Sequence, residues 1–392
     1  MSRPAKVAHL TTVDMSLRYL LLPQLEAVLA GEGEALGISA SGPWVEELTT
    51  RGIRHRALAS STRSFSLVAD VRAAWELWRI LREERPDVLH THNPKPGLYG
   101  RVVGRLARVP IVVNTVHGLY ATPDDPVITR AIVYLLEAMA ARCSDAELVQ
   151  NPEDVALLRR WHLSPRAQLL GNGIDLTRFD PDRVDPAERA SRRAGFGVTD
   201  DTVVIGVVGR LVAEKGYPEL LEAFARLTPG RFALVCVGGS DDEKADRLDP
   251  ALVARAEADG VRFLGHRDDV DALLGAFDVF VLPSHREGFP RAAMEAAAMA
   301  LPIVATDVRG CREIVEPGVN GFLVPVHDPA ALAGALEAMA DPGLRFRFGS
   351  GSRRRAVERF DEREVVRRVL ECYRAVARRK RRALTFGVAP GR

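Results

Sequence analysis

Cysteine is scarce in this 392-residue chain, and the four that occur, Cys143, Cys236, Cys311 and Cys372, are scattered with no CxxC pair. That spacing excludes a disulfide scaffold and gives a structural metal no support, leaving buried or incidental thiols in a reducing compartment. Long apolar runs are missing as well: nothing approaches the roughly 20 residues that a membrane-spanning helix requires. No secretory h-region follows residues 1–6, which lead straight into Val7, Ala8, His9 and Leu10, so a cytoplasmic protein is expected. Excess charge of one sign is absent, the net being +2, which argues against a nucleic-acid partner. Lysine is rare: of 54 basic residues only five are lysine, namely Lys6, Lys95, Lys215, Lys244 and Lys380. Where arginine is the default, a lysine is informative, because its compact ammonium suits a point contact with phosphate. No short repeat is visible.

What is present suits two domains of ordinary size, with 47% hydrophobic and 27% charged residues. Short apolar runs at 6–10, 88–90, 111–115 and 147–149 read as strands. Helical spacing of apolar residues marks 19–29, 67–84, 97–106 and 127–141 between them. After an Asp/Pro/Arg-rich loop at 180–186 the pattern restarts, with strands at 203–208, 234–237, 262–264, 279–282 and 303–305. Continuous apolar strands indicate parallel sheets covered on both faces. The expected fold is α/β, with two Rossmann-like domains at 1–178 and 179–360 facing each other across a cleft. A basic helix at 362–380, within a segment 361–382, is expected to cross back to the first domain, ahead of a frayed tail.

Two segments carry the chemistry. Gly209, Arg210, Lys215 and Gly216 follow the strand at 203–208 and precede a helix beginning near Tyr217 and Pro218. Gly209 permits close backbone approach, and two cations at a helix start can hold phosphate charge. An ordinary loop with two solvated cations is the alternative. In the second segment the strand at 279–282 ends in Pro283 and Ser284, Glu287 and Gly288 form a loop, and 289–299 forms an Ala-rich helix. Pro290 fits the first helical position, and Arg291 opposes the helix dipole unless an anion sits nearby. Glu287 on the loop can accept from hexose hydroxyls, and Glu295 on the helix is in reach of a ribose diol. A capped core helix with two exposed glutamates is the alternative here. A nucleotide-sugar would satisfy both segments.

These residues give the chain its resemblance to the retaining glycosyltransferases of family 4, of the two-domain GT-B fold. The likeness spans nearly the whole length. It rests on Glu287 and Glu295 with Ala296, Pro302 and Val304 following, on Arg210 and Lys215, and on Asn172-Gly173-Ile174-Asp175 ahead of Phe179. Val116-His117-Gly118 and Gly318 through Val324 match too. The stretch from Leu89 to Leu98, with Thr115 through Gly118, looks most like members that assemble surface polysaccharides or lipid-linked glycans.

The resemblance implies that Arg210 and Lys215 bind the donor diphosphate, Glu287 contacts the transferred sugar, Glu295 binds the ribose, and His117 reaches the sugar from the opposite domain. It implies retention, a nucleotide-diphosphate donor, UDP by expectation, and a hydroxyl acceptor that is lipid-linked or polysaccharide. No metal and no further cofactor is expected. Gly265 and His266 follow a strand near the base site of the family. Two departures stand out. Pro290 replaces a common glycine and cannot donate an N–H, which moves that contact to the amides of Phe289 and Arg291. The loop after the first strand lacks glycines, so Thr12 and Asp14 are expected to face the acceptor by side chain.

Other candidates stay open. His90, His92 and the neighbouring Asn93 end a strand, and either ligand contact or structural histidines fit. Gly310 and Glu313 fit a donor-pocket wall or a helix start, and Asp241-Asp242 and Asp268-Asp269 fit loops or caps better than metal ligation. Arg374, Arg378, Arg379, Lys380, Arg381 and Arg382 suggest a weak peripheral membrane contact, each adding about 1 kcal/mol on an anionic leaflet, against a solvated helix end. Rival functions are a small-molecule glycosyltransferase, a GT-B-fold 2-epimerase of a nucleotide-sugar, and an inactive nucleotide-sugar-binding protein.

Overall fold

The computed structural model describes residues 3–62, 66–92, 94–119, 121, 125–240 and 246–384. It forms two compact units, one built from residues 1–171 with 363–392 and the other from 172–362. The division falls after Gly171, where the sequence pattern had suggested 178.

The first unit contains β1 (Lys6–Val13), β2 (Glu34–Ala40), β3 (Arg54–Ala57), β4 (Val88–His92), β5 (Ile111–Val116), β6 (Ala146–Val149) and β7 (Ala167–Leu169). All pair in parallel, in the order β3-β2-β1-β4-β5-β6-β7. The apolar runs are continuous because both faces are covered. Val7 and Val88 meet one core, while Ala8, Leu10 and Leu89 meet the other. The helix Glu362–Arg379 supplies Val365, Val369, Leu370, Cys372, Tyr373, Val376 and Ala377 to the first of these cores. Those positions recur at helical spacing, which is why one stripe of a basic helix is apolar. It ends one residue before the expected 380.

The second unit contains β8 (Val203–Val208), β9 (Phe232–Val237), β10 (Arg262–Phe263), β11 (Val279–Leu282), β12 (Ile303–Thr306) and β13 (Gly321–Val324), again all parallel. Their order is β10-β9-β8-β11-β12-β13. Val204 and Phe280 face one core and Val203, Ile205 and Val207 the other. In each unit the strand order reverses beside the first strand, between β1 and β4 and between β8 and β11. In open α/β sheets ligands bind at such switch points, beyond the carboxyl ends of the strands.

Expected strand and helix positions differ at the margins. β2, β3 and β7 were not marked by apolar runs: β3 has no buried residue and β7 only one. The segment read as a helix at 19–29 begins with the π-helical turn Leu17–Leu21 and continues as Leu22–Ala30. Pro290 is the N-cap of the helix Arg291–Ala298, one position earlier than expected, with extended backbone (φ −71°, ψ 110°) and no side-chain cap.

Candidate functional site

In the second unit the two chemical segments meet at the switch point. β8 ends at Val208, and the turn Ala213–Lys215 carries the chain to Gly216, which caps the helix Tyr217–Phe224. Gly216 sits at φ +73°, and a Cβ there would collide with the carbonyl oxygen of Pro283, just beyond β11. Only glycine allows both the left-handed backbone and the close approach. The N–H of His285 donates to the carbonyl of Glu214 at 2.9 Å. With the loops joined by backbone, Lys215 Nζ donates to Glu287 Oε1 at 2.6 Å. Both side chains are largely but not fully buried, 22% and 10% exposed, so the pair lies at the surface of the unit.

Gly209 follows β8 directly, and its carbonyl accepts from Tyr217 Oη at 2.8 Å. A Cβ on Gly209 would meet nothing nearer than 3.9 Å, so the protein's own packing does not require glycine there. Gly310 is different: its N–H donates to the Glu287 carbonyl at 3.2 Å, and a Cβ would press into the Glu287–Gly288 backbone. Gly310 therefore backs the Glu287 loop. Glu313 turns the other way, toward Arg359 at 3.4 Å.

Arg291 Nε donates to Glu295 Oε1 at 2.9 Å along one helix face. Burial raises the Glu295 carboxyl above its ordinary range, against the opposing pull of Arg291 and Arg178. The cation at Arg291 is thus balanced within its own helix. Arg210 is exposed. Gly265 lies beyond β10 at φ +67°, its carbonyl accepting from the N–H of Gly238 at 2.8 Å, and His266 is exposed beside Asp268. An open hollow on this unit, lined by Arg178, Asp271 and Met299 among others, includes neither Lys215 nor Glu287.

At the switch point of the first unit the residues are imidazoles. His9 on β1 and His90 and His92 on β4 are fully buried. His9 Nδ1 meets His92 Nε2 at 3.0 Å, and His92 Nδ1 meets His117 Nε2 at 3.1 Å. His90 meets Tyr373 Oη at 2.6 Å and Thr115 Oγ1 at 2.7 Å, and Tyr373 reaches His9 Nε2 at 3.4 Å. Burial draws His9 down to about 3 and His117 to about 4, the latter against a bond from Gln150, and holds His90 and His92 well below 6.5. These are neutral rings in one hydrogen-bonded chain, with half-buried His117 at its end. For His90 this favours the structural alternative. Asp14 is buried and accepts from the N–H groups of Met15 (2.9 Å) and Trp44 (2.8 Å), which ties the loop after β1 to the segment beyond β2. Thr12 is nearly buried, and its carbonyl accepts from Ser61 Oγ at 3.2 Å. Asn93, Asp241 and Asp242 lie outside the described residues.

Sequence reasoning missed Gly216 as the joint between the loops, although it adjoins Lys215. It also missed His9 and Tyr373, which lie 364 residues apart and share no motif.

Known proteins fall in line with this architecture. Residues 202–341 match the family model for glycosyl transferases group 1, and residues 26–173 match the glycosyl transferase 4-like domain. The chain is 29% identical over 341 residues, 84% of each chain, to the UDP-Gal:alpha-D-GlcNAc-diphosphoundecaprenol alpha-1,3-galactosyltransferase of Escherichia coli. It is 32% identical over 324 residues to the D-inositol 3-phosphate glycosyltransferase of Acidothermus cellulolyticus, covering 77% of this chain and 70% of that one. Its fold is similar to that of Anabaena HepE, solved in complex with UDP and glucose, with a TM-score of 0.79, 20% identity, and coverage of 95% of this chain and all (100%) of that one.

Proposed function

Because the chain belongs to the glycosyl transferases of group 1, with the GT-B fold, we propose that it transfers a hexose or N-acetylhexosamine with retention from a UDP-sugar to a hydroxyl of a lipid-linked glycan intermediate. The observation that carries the donor side is the Lys215–Glu287 pair at 2.6 Å on the β8/β11 switch point. When donor binds, Lys215 turns to the diphosphate and Glu287 is released to accept from sugar hydroxyls. Arg210 and the positive end of the helix Tyr217–Phe224 add positive potential where the leaving pyrophosphate gains charge. That set supplies the electrostatic stabilisation without a metal ion. Glu295, raised by burial, accepts from the ribose. His117 meets the sugar as a neutral ring, and Gly209 leaves open the space its missing Cβ would fill.

The acceptor side draws on the Escherichia coli relative, whose name gives a diphosphoundecaprenol-linked acceptor and UDP-Gal as donor. A small polar acceptor is the second reading, favoured by the 32% identity to an inositol phosphate transferase. Nucleotide release in a screen of UDP- and GDP-sugars, each with a polyprenyl-diphosphate sugar or an inositol phosphate, separates the two. Release with neither acceptor class would remove both readings, and a rearranged nucleotide-sugar formed from donor alone would point to the epimerase.

Weak peripheral contact with an anionic membrane belongs to the same reading, and the structure moves its basis. Part of the basic tail is engaged elsewhere: Lys380 Nζ donates to Asp145 Oδ2 at 2.7 Å, and Arg379 donates to the Asp145 carbonyl at 2.8 Å. The helices Leu67–Glu84 and Val127–Ala141, both packed on the helix Pro94–Leu106, instead expose Trp75, Trp78, Ile128, Ile132 and Leu135, and Pro94–Leu106 exposes Leu106 at its end. Such a patch marks an interaction surface, and tryptophan favours the bilayer interface. Among the described residues no helix is long and apolar enough to cross a membrane. Flotation on anionic vesicles tests this: binding that survives Ile132→Glu with Leu135→Glu, or absence of binding at low salt, would end it.

A further inference from the structure

Outside the site described above, the second unit gathers three metal-ligating side chains from three separate elements. Glu219 lies in the first turn of the helix Tyr217–Phe224, His285 lies three residues after β11, and His327 follows β13. His285 Nε2 and His327 Nδ1 both meet the same carboxylate oxygen, Glu219 Oε1, at 2.9 and 2.6 Å. The one atom from each residue that could bind an ion lies within 4.8 Å of the others. The second carboxylate oxygen, Glu219 Oε2, is buried with no side-chain partner among the described residues, and besides the two imidazoles the carboxylate draws on the residue's own N–H.

We infer that Glu219, His285 and His327 form a binding site for a divalent transition-metal ion, with zinc the best match. Two imidazoles and one carboxylate are a sound donor set for zinc, with a fourth position left for water. The arrangement around the carboxylate points to a ligand. Two histidines converge on one oxygen while its twin has no side-chain partner, and a buried carboxylate oxygen short of partners is unfavourable. An ion at the centre would take one atom from each ring and engage the carboxylate, separating nitrogens and oxygen by a few tenths of an ångström. His327 lies beyond β13 in left-handed backbone (φ +60°), as several other non-glycine residues of this chain do. Its side chain is 64% exposed, so an ion can enter from solvent. The other three-residue group among the described residues, His9, His90 and His92, differs: it is fully buried, and the ring nitrogens already have partners.

The site is separate from Lys215 and Glu287 and does not depend on which sugar is transferred. Its position does give it a lever, since His285 is two residues before Glu287 and its N–H holds the Glu214 carbonyl.

The test uses tag-free full-length protein, with Zn²⁺ titrated against a chromophoric chelator and Co²⁺ followed by its visible absorption. Wild type should take up one equivalent, with Co²⁺ giving the intense bands of low coordination number. His327→Asn keeps a residue that tolerates left-handed backbone while removing the imidazole. It should weaken Zn²⁺ binding by about tenfold or more, at least the loss seen for a mere outer-shell partner. His285→Ala should do the same, and Zn²⁺ should raise the melting temperature of wild type but of neither variant. Wild-type uptake equal to that of the His285→Ala, His327→Asn double variant would overturn the proposal. So would a wild-type cobalt spectrum matching hexaaqua Co²⁺.

Discussion

At the switch point of the first unit, between β1 and β4, stand neutral imidazoles and a tyrosine; at that of the second, between β8 and β11, stand a lysine and a glutamate in an ion pair. The topology is the same and the chemistry is opposite. Charge is held at the second site because Lys215 and Glu287 keep some solvent contact and neutralise each other. At the first, His9, His90 and His92 are fully buried, so the rings stay uncharged and each relies on a neighbour for its hydrogen bonds. A strand-order reversal thus supplies a place where loops converge, and burial decides whether that place can carry charge.

The comparison can be broken from the charged side first. Lys215→Ala and Glu287→Ala should each lower kcat/KM about 100- to 1000-fold, the range for loss of one preorganised electrostatic contact. Their melting temperatures should fall modestly, since the partner left behind is largely buried but keeps some solvent contact. Near-normal rates in both variants, measured by nucleotide release, would remove the charged switch point from the mechanism.

The neutral side should respond in stability. Tyr373→Phe deprives His90 and His9 of a partner and should destabilise by about 1–3 kcal/mol in urea denaturation. The effect should be larger than that of Lys215→Ala on the same scale. Acid titration sharpens the point. Folded-state values for His9 and His117 lie below the unfolded value near 6.5, so their contribution is present above that value and is lost as pH falls through it toward about 4. Stability should fall by up to about 1.4 kcal/mol per pH unit for each such histidine, and His9→Gln should flatten the slope. An unchanged slope would mean that the rings do not titrate as buried neutral groups.

Glu295→Gln should have the smallest stability effect. Its carboxyl is raised in the folded state, so its contribution is intact below the unfolded value and lost as pH rises through the folded one. The amide should therefore equal or slightly exceed wild type in melting temperature at pH 8, while raising KM for donor severalfold. A clear drop in melting temperature would instead give Glu295 a structural role through Arg291.

Much of this was legible because parallel sheets announce themselves. Continuous runs such as 203–208 and 279–282 needed no context, and the motifs after them fell at strand ends as the spacing required. β3 and β7 escaped because edge strands with few buried residues leave no apolar signature. Pro290 was displaced by one position because a proline with extended backbone serves equally as a cap. Asp14 was expected to face the acceptor, yet two backbone N–H groups hold its carboxylate, and no local pattern marks a bond to Trp44 30 residues away. The imidazole chain, like the Glu219 cluster, is assembled from residues far apart in sequence, where spacing carries no information. Single residues such as Gly216 were visible only as punctuation; that a carbonyl from another loop fills the place of a side chain belongs to three dimensions.

The helix Glu362–Arg379 places Tyr373 against His9 and His90, and Val369 and Val376 in the same core as β1. On a ribosome adding about 5–20 residues per second, residues 1–171 must therefore wait, their sheet missing one wall, until the helix Glu362–Arg379 emerges. The second unit has every residue it needs before then. Residues 172–362 can therefore mature before residues 1–171, and a released fragment ending at residue 362 should hold a protease-resistant second unit and a first unit still open to cleavage.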